Sequence, residues 1–88
     1  MKPELNLRGS RVEEALTLLP QFLTDAVQQG IGRVKIIHGK GMRSPDGFSV
    51  VRDSVKRYLE TALEEGTIRD FRLGNVGEGG AGVTIVWL

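Results

Sequence analysis

Four consecutive residues, His38-Gly39-Lys40-Gly41, combine side chains and backbone suited to binding phosphate. An imidazole accepts or donates a proton near neutral pH, and a lysine supplies a compact positive charge. Glycines carry no Cβ, so their backbone N–H groups can approach an anion closely. We predict that Lys40 and the N–H groups of Gly39 and Gly41 hold phosphoryl oxygens. A basic surface turn with an incidental histidine has the same composition, so both interpretations stay open on these residues alone.

Hydrolysis of a phosphodiester requires an activated water, stabilisation of charge on the phosphoryl oxygens and a proton for the leaving oxygen. His38 is the only histidine of the chain, and no other side-chain type has an ordinary pKa near neutral. We therefore predict His38 as the general acid or base, the alternative being a structural histidine in a turn. Arg8 points to the same side as Asn6 in the predicted first strand, where it could make a bidentate phosphate contact.

Positive charge is concentrated in the middle of the sequence. Residues 33–57 contain seven Lys or Arg and two Asp, a net charge of +5, whereas residues 1–32 carry −1 and residues 58–88 carry −3. A basic segment between acidic flanks indicates one positive face suited to a polyanion. The side chains predicted to contact nucleic acid on this face are Lys35, Arg43, Arg52 and Lys56. The alternative for Arg52 and Lys56 is the solvated face of a helix.

The spacing of apolar residues predicts the elements that position these groups. Four segments are rich in alternating apolar or β-branched residues, which is typical of strands. They are Glu4–Arg8, Arg33–Ile37, Thr67–Leu73 and Val83–Leu88. Two segments with helical spacing lie between them: a Ser10–Glu13 capping box opens the first and Gly30 closes it, while Gly66 closes the second. Pro20 falls inside the first helix, where we predict a kink rather than a break.

The predicted order, β-α-β-α-β-β, indicates an α/β fold of one domain spanning residues 1–88. Crossover helices make the first three strands parallel, and the glycine-rich segment 74–82 lets the last strand return antiparallel. Each helix has one apolar stripe, so we predict a two-layer α/β sandwich: a four-stranded mixed sheet with both helices on one face. Absence of cysteine excludes disulfides and thiolate chemistry. No apolar run reaches the roughly 20 residues of a membrane span, and we expect a cytoplasmic protein.

Two phosphate-binding motifs are present only in part. Gly77–Gly82 matches G-x-G-x-x-G, but a strand follows it where a dinucleotide-binding site requires a helix. Gly39-Lys40-Gly41 lacks the first glycine and the final Ser or Thr of a nucleotide-binding P-loop. The sequence therefore predicts neither a dinucleotide site nor an ATP site.

Three segments together resemble the Smr (small MutS-related) domain family. Leu5-Asn6-Leu7-Arg8-Gly9 is similar to the opening L-D-L-[HR]-G of that family, and His38-Gly39-Lys40-Gly41 to its H-G-[KR]-G signature. Segment 79–86, Gly-Gly-Ala-Gly-Val-Thr-Ile-Val, is similar to the closing G-G-x-G-x-T-x-V. Order and spacing agree over residues 4–88. The variant most resembled is the C-terminal domain of bacterial MutS-like proteins of the second type, which implies a domain excised from a longer protein with an upstream ATPase and clamp region.

The resemblance implies an endonuclease domain that binds nucleic acid and nicks DNA in recombination or repair, or that cleaves RNA. Its site would comprise His38, Arg8, Asn6 and Lys40, with nucleic acid, branched DNA among the candidates, lying against Gly39, Gly41, Gly80 and Gly82. Asn6 stands where the family usually has Asp, and Asn neither carries negative charge nor binds a metal well. The alternative is thus a non-catalytic module that binds DNA or RNA. A domain that binds an acidic protein is a third interpretation. Mg²⁺ or Mn²⁺ remains open, with Glu4, Asp70 or Glu78 as candidate ligands.

Overall fold

The computed structural model describes residues 2–39 and 50–88. Its strands are β1 (Glu4–Asn6), β2 (Arg33–Ile37), β3 (Asp70–Leu73) and β4 (Val83–Trp87). Its helices are α1 (Val12–Gln28) and α2 (Val50–Glu65), and two short 3₁₀ turns, Val76–Glu78 and Gly80–Gly82, precede β4. The observed order of helices and strands is the predicted β-α-β-α-β-β. Pro20 lies within the single helix α1, so the predicted absence of a break is confirmed, and the kink stays a prediction.

The four strands form one mixed sheet in the order β1-β2-β4-β3. β1 pairs parallel with β2, whereas β4 pairs antiparallel with both β2 and β3. The first three strands therefore run in one direction, and β4 is inserted between β2 and β3. The two helices pack against each other on one face of the sheet, so the predicted two-layer α/β sandwich is confirmed.

The hydrophobic core lies between the sheet and the two helices. Strand residues alternate between the two faces of a sheet, so Val34 and Ile36 of β2 and Val86 of β4 face the helices together. Leu19 of α1 and Leu59 of α2 are fully buried against them. Each helix buries only part of its apolar surface, because some of its apolar side chains remain well exposed. These are Leu16, Val27 and Leu63, and Leu73 of β3 is also exposed.

Both helices end at a glycine in the left-handed conformation, as predicted. Gly30 has φ +73°, its N–H donates to the carbonyl of Val27, and the N–H of Ile31 donates to the carbonyl of Ala26. This pair of bonds defines a Schellman motif. Gly66, with φ +78°, closes α2 by the equivalent pair of bonds. Each glycine turns the chain toward the strand that follows.

The start of α1 differs from the prediction. Arg11 occupies the N-cap position without a side-chain cap, and the Ser10–Glu13 capping box does not form. Ser10 instead donates its backbone N–H to the carbonyl of Leu7, which closes a tight turn at the end of β1. This bond uses the Ser10 N–H that the Glu13 side chain would accept in a capping box. β1 ends at Asn6 rather than at the predicted Arg8.

The predicted third strand is shortened at its start. The N–H of Thr67 completes the C-terminal motif of α2 by donating to Ala62, so this residue is not available to a strand. Ile68 is buried ahead of β3, and regular pairing begins only at Asp70.

Candidate functional site

The carboxyl ends of the three parallel strands meet at one edge of the sheet, beside the amino end of β4. His38 follows β2 directly, and Arg8 lies in the turn after β1. Both helices return the chain to the opposite edge, so both begin here, where the positive ends of their dipoles favour anions. The fold therefore brings segments from the beginning, middle and end of the sequence to this edge.

Both ring nitrogens of His38 are hydrogen-bonded, and the bonds define its neutral tautomer. Nδ1 lies 2.7 Å from the carbonyl oxygen of Gly39, which can only accept, so Nδ1 carries the proton. Nε2 lies 2.8 Å from Oγ1 of Thr84 and therefore accepts the hydroxyl proton. His38 and Thr84 are both largely buried. The free base of the imidazole is thus directed at a threonine of β4.

The surroundings of His38 favour its neutral form. Burial is the main cause that lowers the pKa of His38 below its usual value of 6.5, and the positive charge of Arg52 lowers it further. The hydrogen bond to Gly39 acts in the opposite direction, because the carbonyl stabilises a protonated ring. At neutral pH the imidazole is therefore ready to accept a proton rather than to donate one.

The closing glycine segment holds the backbone of the His38 turn. The carbonyl of Gly82 accepts hydrogen bonds from the N–H groups of His38 and Gly39, each at 3.0 Å. The Gly39 N–H, which we predicted to hold a phosphoryl oxygen, is thus already paired within the protein in this conformation. Gly82 is buried beneath the turn. Its role in the structure is to fix the position of His38.

A cavity of about 350 Å³ opens beside this pair, between α2, β3 and β4. It is lined by Thr84, by the apolar side chains Phe71 and Leu73, and by charged residues of α2. Those charged residues are Arg52, Asp53 and Lys56. Two of the predicted nucleic-acid contacts, Arg52 and Lys56, therefore lie on the wall of a space that reaches the hydrogen-bond partner of His38.

Arg8 and Asn6 lie at the same edge, beyond β2. The Cγ of Arg8 is 3.9 Å from the position that a Cβ on Gly39 would occupy, so the arginine stem passes next to the His38 turn. The side-chain oxygen of Asn6 accepts the backbone N–H of Arg8 at 2.9 Å. Asn6 pairs with Ile37 in the sheet and so belongs to the face away from the helices. The amide shapes the turn that carries Arg8.

Two other predicted contacts, Lys35 and Gly80, lie on the sheet face and in the loop before β4. Lys35 alternates with the buried Val34 and Ile36, which places it on the face of the sheet opposite to the helices. Gly80 lies in the second 3₁₀ turn, where its N–H donates to the carbonyl of Asn75. Lys40, Gly41 and Arg43 lie outside the described residues.

The candidate metal ligands do not form a cluster. Glu78 makes a bidentate ion pair with Arg72, and its other bond, from the N–H of Asn75, closes a capping box. Asp70 accepts the N–H of Phe71. Within residues 2–39 and 50–88, no group of three or more His, Asp or Glu is placed to hold a metal ion. The same residues include no helix with the length and hydropathy needed to cross a membrane.

Thr84 is the residue of the site whose role the sequence pattern did not predict. A signal was present, because Thr84 is the only polar side chain in β4, where its neighbours are Val83, Ile85, Val86 and Trp87. An isolated polar residue in a buried strand requires a hydrogen-bond partner. The identity of that partner, 46 residues earlier in the chain, depends on the insertion of β4 next to β2.

Comparisons with known proteins agree with the geometry. The Smr domain family model matches residues 5–88. Endonuclease MutS2 of Symbiobacterium thermophilum is 44% identical over 88 residues, and that of Geobacillus kaustophilus is 45% identical over 85 residues. These alignments cover 100% and 97% of this chain but only 10% of each relative. The chain thus spans about a tenth of the length of the curated relatives it matches.

Solved structures give the same result. The crystal structure of the Smr domain of Thermus thermophilus MutS2 superposes with a TM-score of 0.81 at 33% identity, covering 100% of this chain and 98% of the other. The stand-alone Escherichia coli protein YdaL gives a TM-score of 0.83 at 31% identity, covering 98% of this chain and 63% of YdaL. The fold, the turn that carries His38 and the closing glycine segment all agree with this assignment, and the chain belongs to the Smr domain family.

Proposed function

We propose that this domain is an endonuclease that nicks DNA by hydrolysing a phosphodiester, with His38 as its general base. The observation that supports this most strongly is the unprotonated Nε2 of His38, which accepts the hydroxyl of Thr84. Thr84 lies on the wall of a cavity that is also lined by Arg52 and Lys56. A base and positive charges at one edge are what attack on a phosphodiester requires. Arg8 would contact the phosphate from the other side of the His38 turn.

The relatives support the same class of activity. Curated proteins that share this domain are named endonucleases, and the shared region is the domain itself. The remaining nine-tenths of those relatives lies outside this chain. For the domain itself we therefore propose only DNA as a direct partner. In a longer protein, an upstream ATPase and clamp region would bring the domain to branched DNA during recombination or repair.

The second candidate function is a non-catalytic module that binds branched or single-stranded DNA or RNA. Asn6 favours it, because the amide at this position carries no negative charge and its oxygen already accepts the N–H of Arg8. The same positive groups would serve binding alone. Turnover distinguishes the two functions, whereas the salt dependence of binding does not, since contacts with the phosphate backbone are salt-sensitive in both.

A nicking assay on supercoiled plasmid tests the proposal, with Mg²⁺, with Mn²⁺ and without a divalent ion. We expect the unmodified domain to produce open circles, and His38→Gln to lose about 100-fold or more of that rate, since general acid–base catalysis contributes about 10²–10⁴-fold. Gln offers an amide in place of the imidazole hydrogen bonds but does not titrate. DNA binding by the variant, measured by fluorescence anisotropy, should change little.

Asn6→Asp provides the matched comparison, because a carboxylate oxygen can accept the same N–H from Arg8. Equal nicking by the domain and by Asn6→Asp means that the amide is tolerated. Nicking only by Asn6→Asp means that the carboxylate is required and that this chain is a binding module. If His38→Gln nicks at the normal rate, the proposed role of His38 is wrong.

A further inference from the structure

The position of Thr84 relative to His38 and to the cavity extends the proposed function. Nδ1 of His38 is occupied by the Gly39 carbonyl, so only Nε2 is available as a base. Nε2 in turn accepts the hydroxyl of Thr84, and it is Thr84, not His38, that lines the cavity between α2 and β3. A substrate group in that cavity therefore lies against Thr84, the residue that hydrogen-bonds the imidazole.

We propose that Thr84 relays the proton between the phosphodiester and His38. This proposal rests on the proposed endonuclease function. A water attacks the phosphorus and gives a proton to Oγ1 of Thr84 while the hydroxyl proton of Thr84 moves to Nε2 of His38. The bond between phosphorus and the leaving oxygen breaks, and the proton returns from Nε2 through Oγ1 to that oxygen. Water and the diester become a phosphomonoester and an alcohol, and both side chains recover their starting states.

The geometry satisfies what a relay needs. A hydroxyl both donates and accepts, so it can pass a proton without carrying charge. The distance of 2.8 Å from Oγ1 to Nε2 is within the range for proton transfer between a base and its partner. The carbonyl of Gly39 orients the ring from its other nitrogen, as a third group orients the base in nucleophile–base pairs.

The rest of the cavity is suited to the diester itself. Arg52, Asp53 and Lys56 of α2 line the same wall, which carries a net charge of +1, and the two cations would stabilise the phosphoryl oxygens, which gain charge in the transition state. Phe71 and Leu73 form an apolar wall on β3, where a sugar or base next to the cleaved bond can pack. We therefore place the cleaved phosphodiester in this cavity, beside Thr84.

The test compares three replacements of Thr84 in the nicking assay. Thr84→Val has nearly the same shape without the hydroxyl, Thr84→Ala removes the hydroxyl with a different loss of packing, and Thr84→Ser restores it. We expect Val and Ala to lower kcat about 100-fold and to leave KM within about threefold, and Ser to stay within about tenfold of the unmodified domain. Thr17→Val removes an exposed hydroxyl of α1 that bonds only the Glu13 carbonyl in the structure, and should nick normally.

A second readout does not depend on activity. The chain has one histidine, so ¹⁵N NMR of the labelled domain shows a single pair of ring nitrogens. Thr84→Val should shift the Nε2 signal, because Nε2 loses its hydrogen bond, and should leave Nδ1 protonated. Thr84→Ser should restore the Nε2 signal. An unchanged Nε2 signal in folded Thr84→Val would overturn the contact on which the relay depends.

The outcomes separate this inference from the proposed function. If the unmodified domain does not nick, or if His38→Gln nicks normally, both proposals are wrong. If the domain nicks and His38→Gln does not, while Thr84→Val or Thr84→Ala nicks within about threefold of the normal kcat, only the relay is wrong. Circular dichroism spectra and melting curves of each variant establish that it is folded before its rate is interpreted.

Discussion

The protonation state of a single residue, His38, decides what this site can do at neutral pH. Burial and the charge of Arg52 lower the pKa of His38, so the folded protein holds the ring neutral at pH values where an exposed histidine begins to protonate. We predict that a ¹H NMR titration of the domain gives a pKa below 6.5. Arg52→Gln should raise it, because a positive charge near the ring is removed. A titration at or above 6.5 in the unmodified domain contradicts this account.

The same lowered pKa makes stability depend on pH. Below 6.5 the unfolded chain binds a proton at this histidine before the folded protein does, so the free energy of unfolding falls as the pH drops from 6.5 toward the folded pKa. The contribution is fully present above 6.5. Urea denaturation at pH 7.5 and pH 5.5 should show a larger loss of stability on acidification in the unmodified domain than in His38→Gln.

For individual residues, the sequence indicated which side chains could do chemistry better than it indicated their hydrogen-bond partners. The dipeptide His38-Gly39 marked the site because its chemistry is unusual and local. The bond from Thr84 to His38 joins residues 46 positions apart and follows from strand order, which no local pattern encodes. The N–H of Gly39 was predicted to bind phosphate, because its acceptor in the fold, the carbonyl of Gly82, lies 43 residues away in the sequence and no local pattern indicates it.

The ends of the elements show where local patterns are sufficient. β2 was predicted with its observed bounds, because the β-branched residues Val34, Ile36 and Ile37 lie between a glycine turn and a histidine. The start of α1 was predicted one residue early, with Ser10 rather than Arg11 as the N-cap, since the turn that follows β1 uses the N–H of Ser10 for its own hydrogen bond. Helix ends marked by glycine were predictable because the left-handed conformation excludes most other residues.

The C-terminal motif of α1 gives a direct test of that last point. Gly30 has φ +73°, so an alanine there is strained even though its Cβ meets no atom within 4 Å. We predict that Gly30→Ala destabilises the domain by about 1–2 kcal/mol. Gly32, two residues later, also has open space around it but an ordinary φ, and Gly32→Ala should be neutral or stabilising by up to about 1 kcal/mol. Equal urea midpoints for the two variants would contradict the assignment.

The first 3₁₀ turn is tied to β3 by charge. Arg72 makes a bidentate ion pair with Glu78 and lies over the ring of Trp87, 5.3 Å from its centroid. The hydrogen bonds from Arg72 are the main cause that lowers the pKa of Glu78 to about 2. The unfolded carboxyl titrates near 4.5, so this stabilisation is present above pH 4.5 and is lost as the pH falls toward 2.

Glu78→Gln tests the charge of this pair. Gln keeps one acceptor for the N–H of Asn75 but loses the negative charge. We predict a lower melting temperature than that of the unmodified domain at pH 7, with the difference shrinking as the pH approaches 2. The exposed Glu60→Gln on α2 is the matched control and should show no such convergence. A difference that stays constant with pH would show that shape, not charge, matters at this position.

On the scale of the whole molecule, the fold distributes positive charges that are close in the sequence to different faces and edges of the sheet. The segment 33–57 carries a net charge of +5, but the alternation of β2 directs Lys35 away from the helices, whereas Arg52 and Lys56 lie beside the cavity at the His38 edge. Arg69 and Arg33 lie at the opposite edge, where β2 and β3 begin. A polyanion bound for cleavage should therefore approach the edge formed by the carboxyl ends of the parallel strands.

This polarity predicts which lysines and arginines carry the binding energy. Each lysine that neutralises a DNA phosphate contributes about 0.9 to the slope of log K against log salt. We predict that Lys56→Gln weakens DNA binding at all sequences tested and lowers that slope by about 1. Arg69→Gln removes an equally exposed positive charge at the far edge, and should leave both the affinity and the slope nearly unchanged. Fluorescence anisotropy from 50 to about 200 mM salt measures both quantities. If the two variants lose DNA affinity equally, binding depends on the net charge of the domain alone. The phosphate backbone would then not bind preferentially at the edge of the sheet that holds His38.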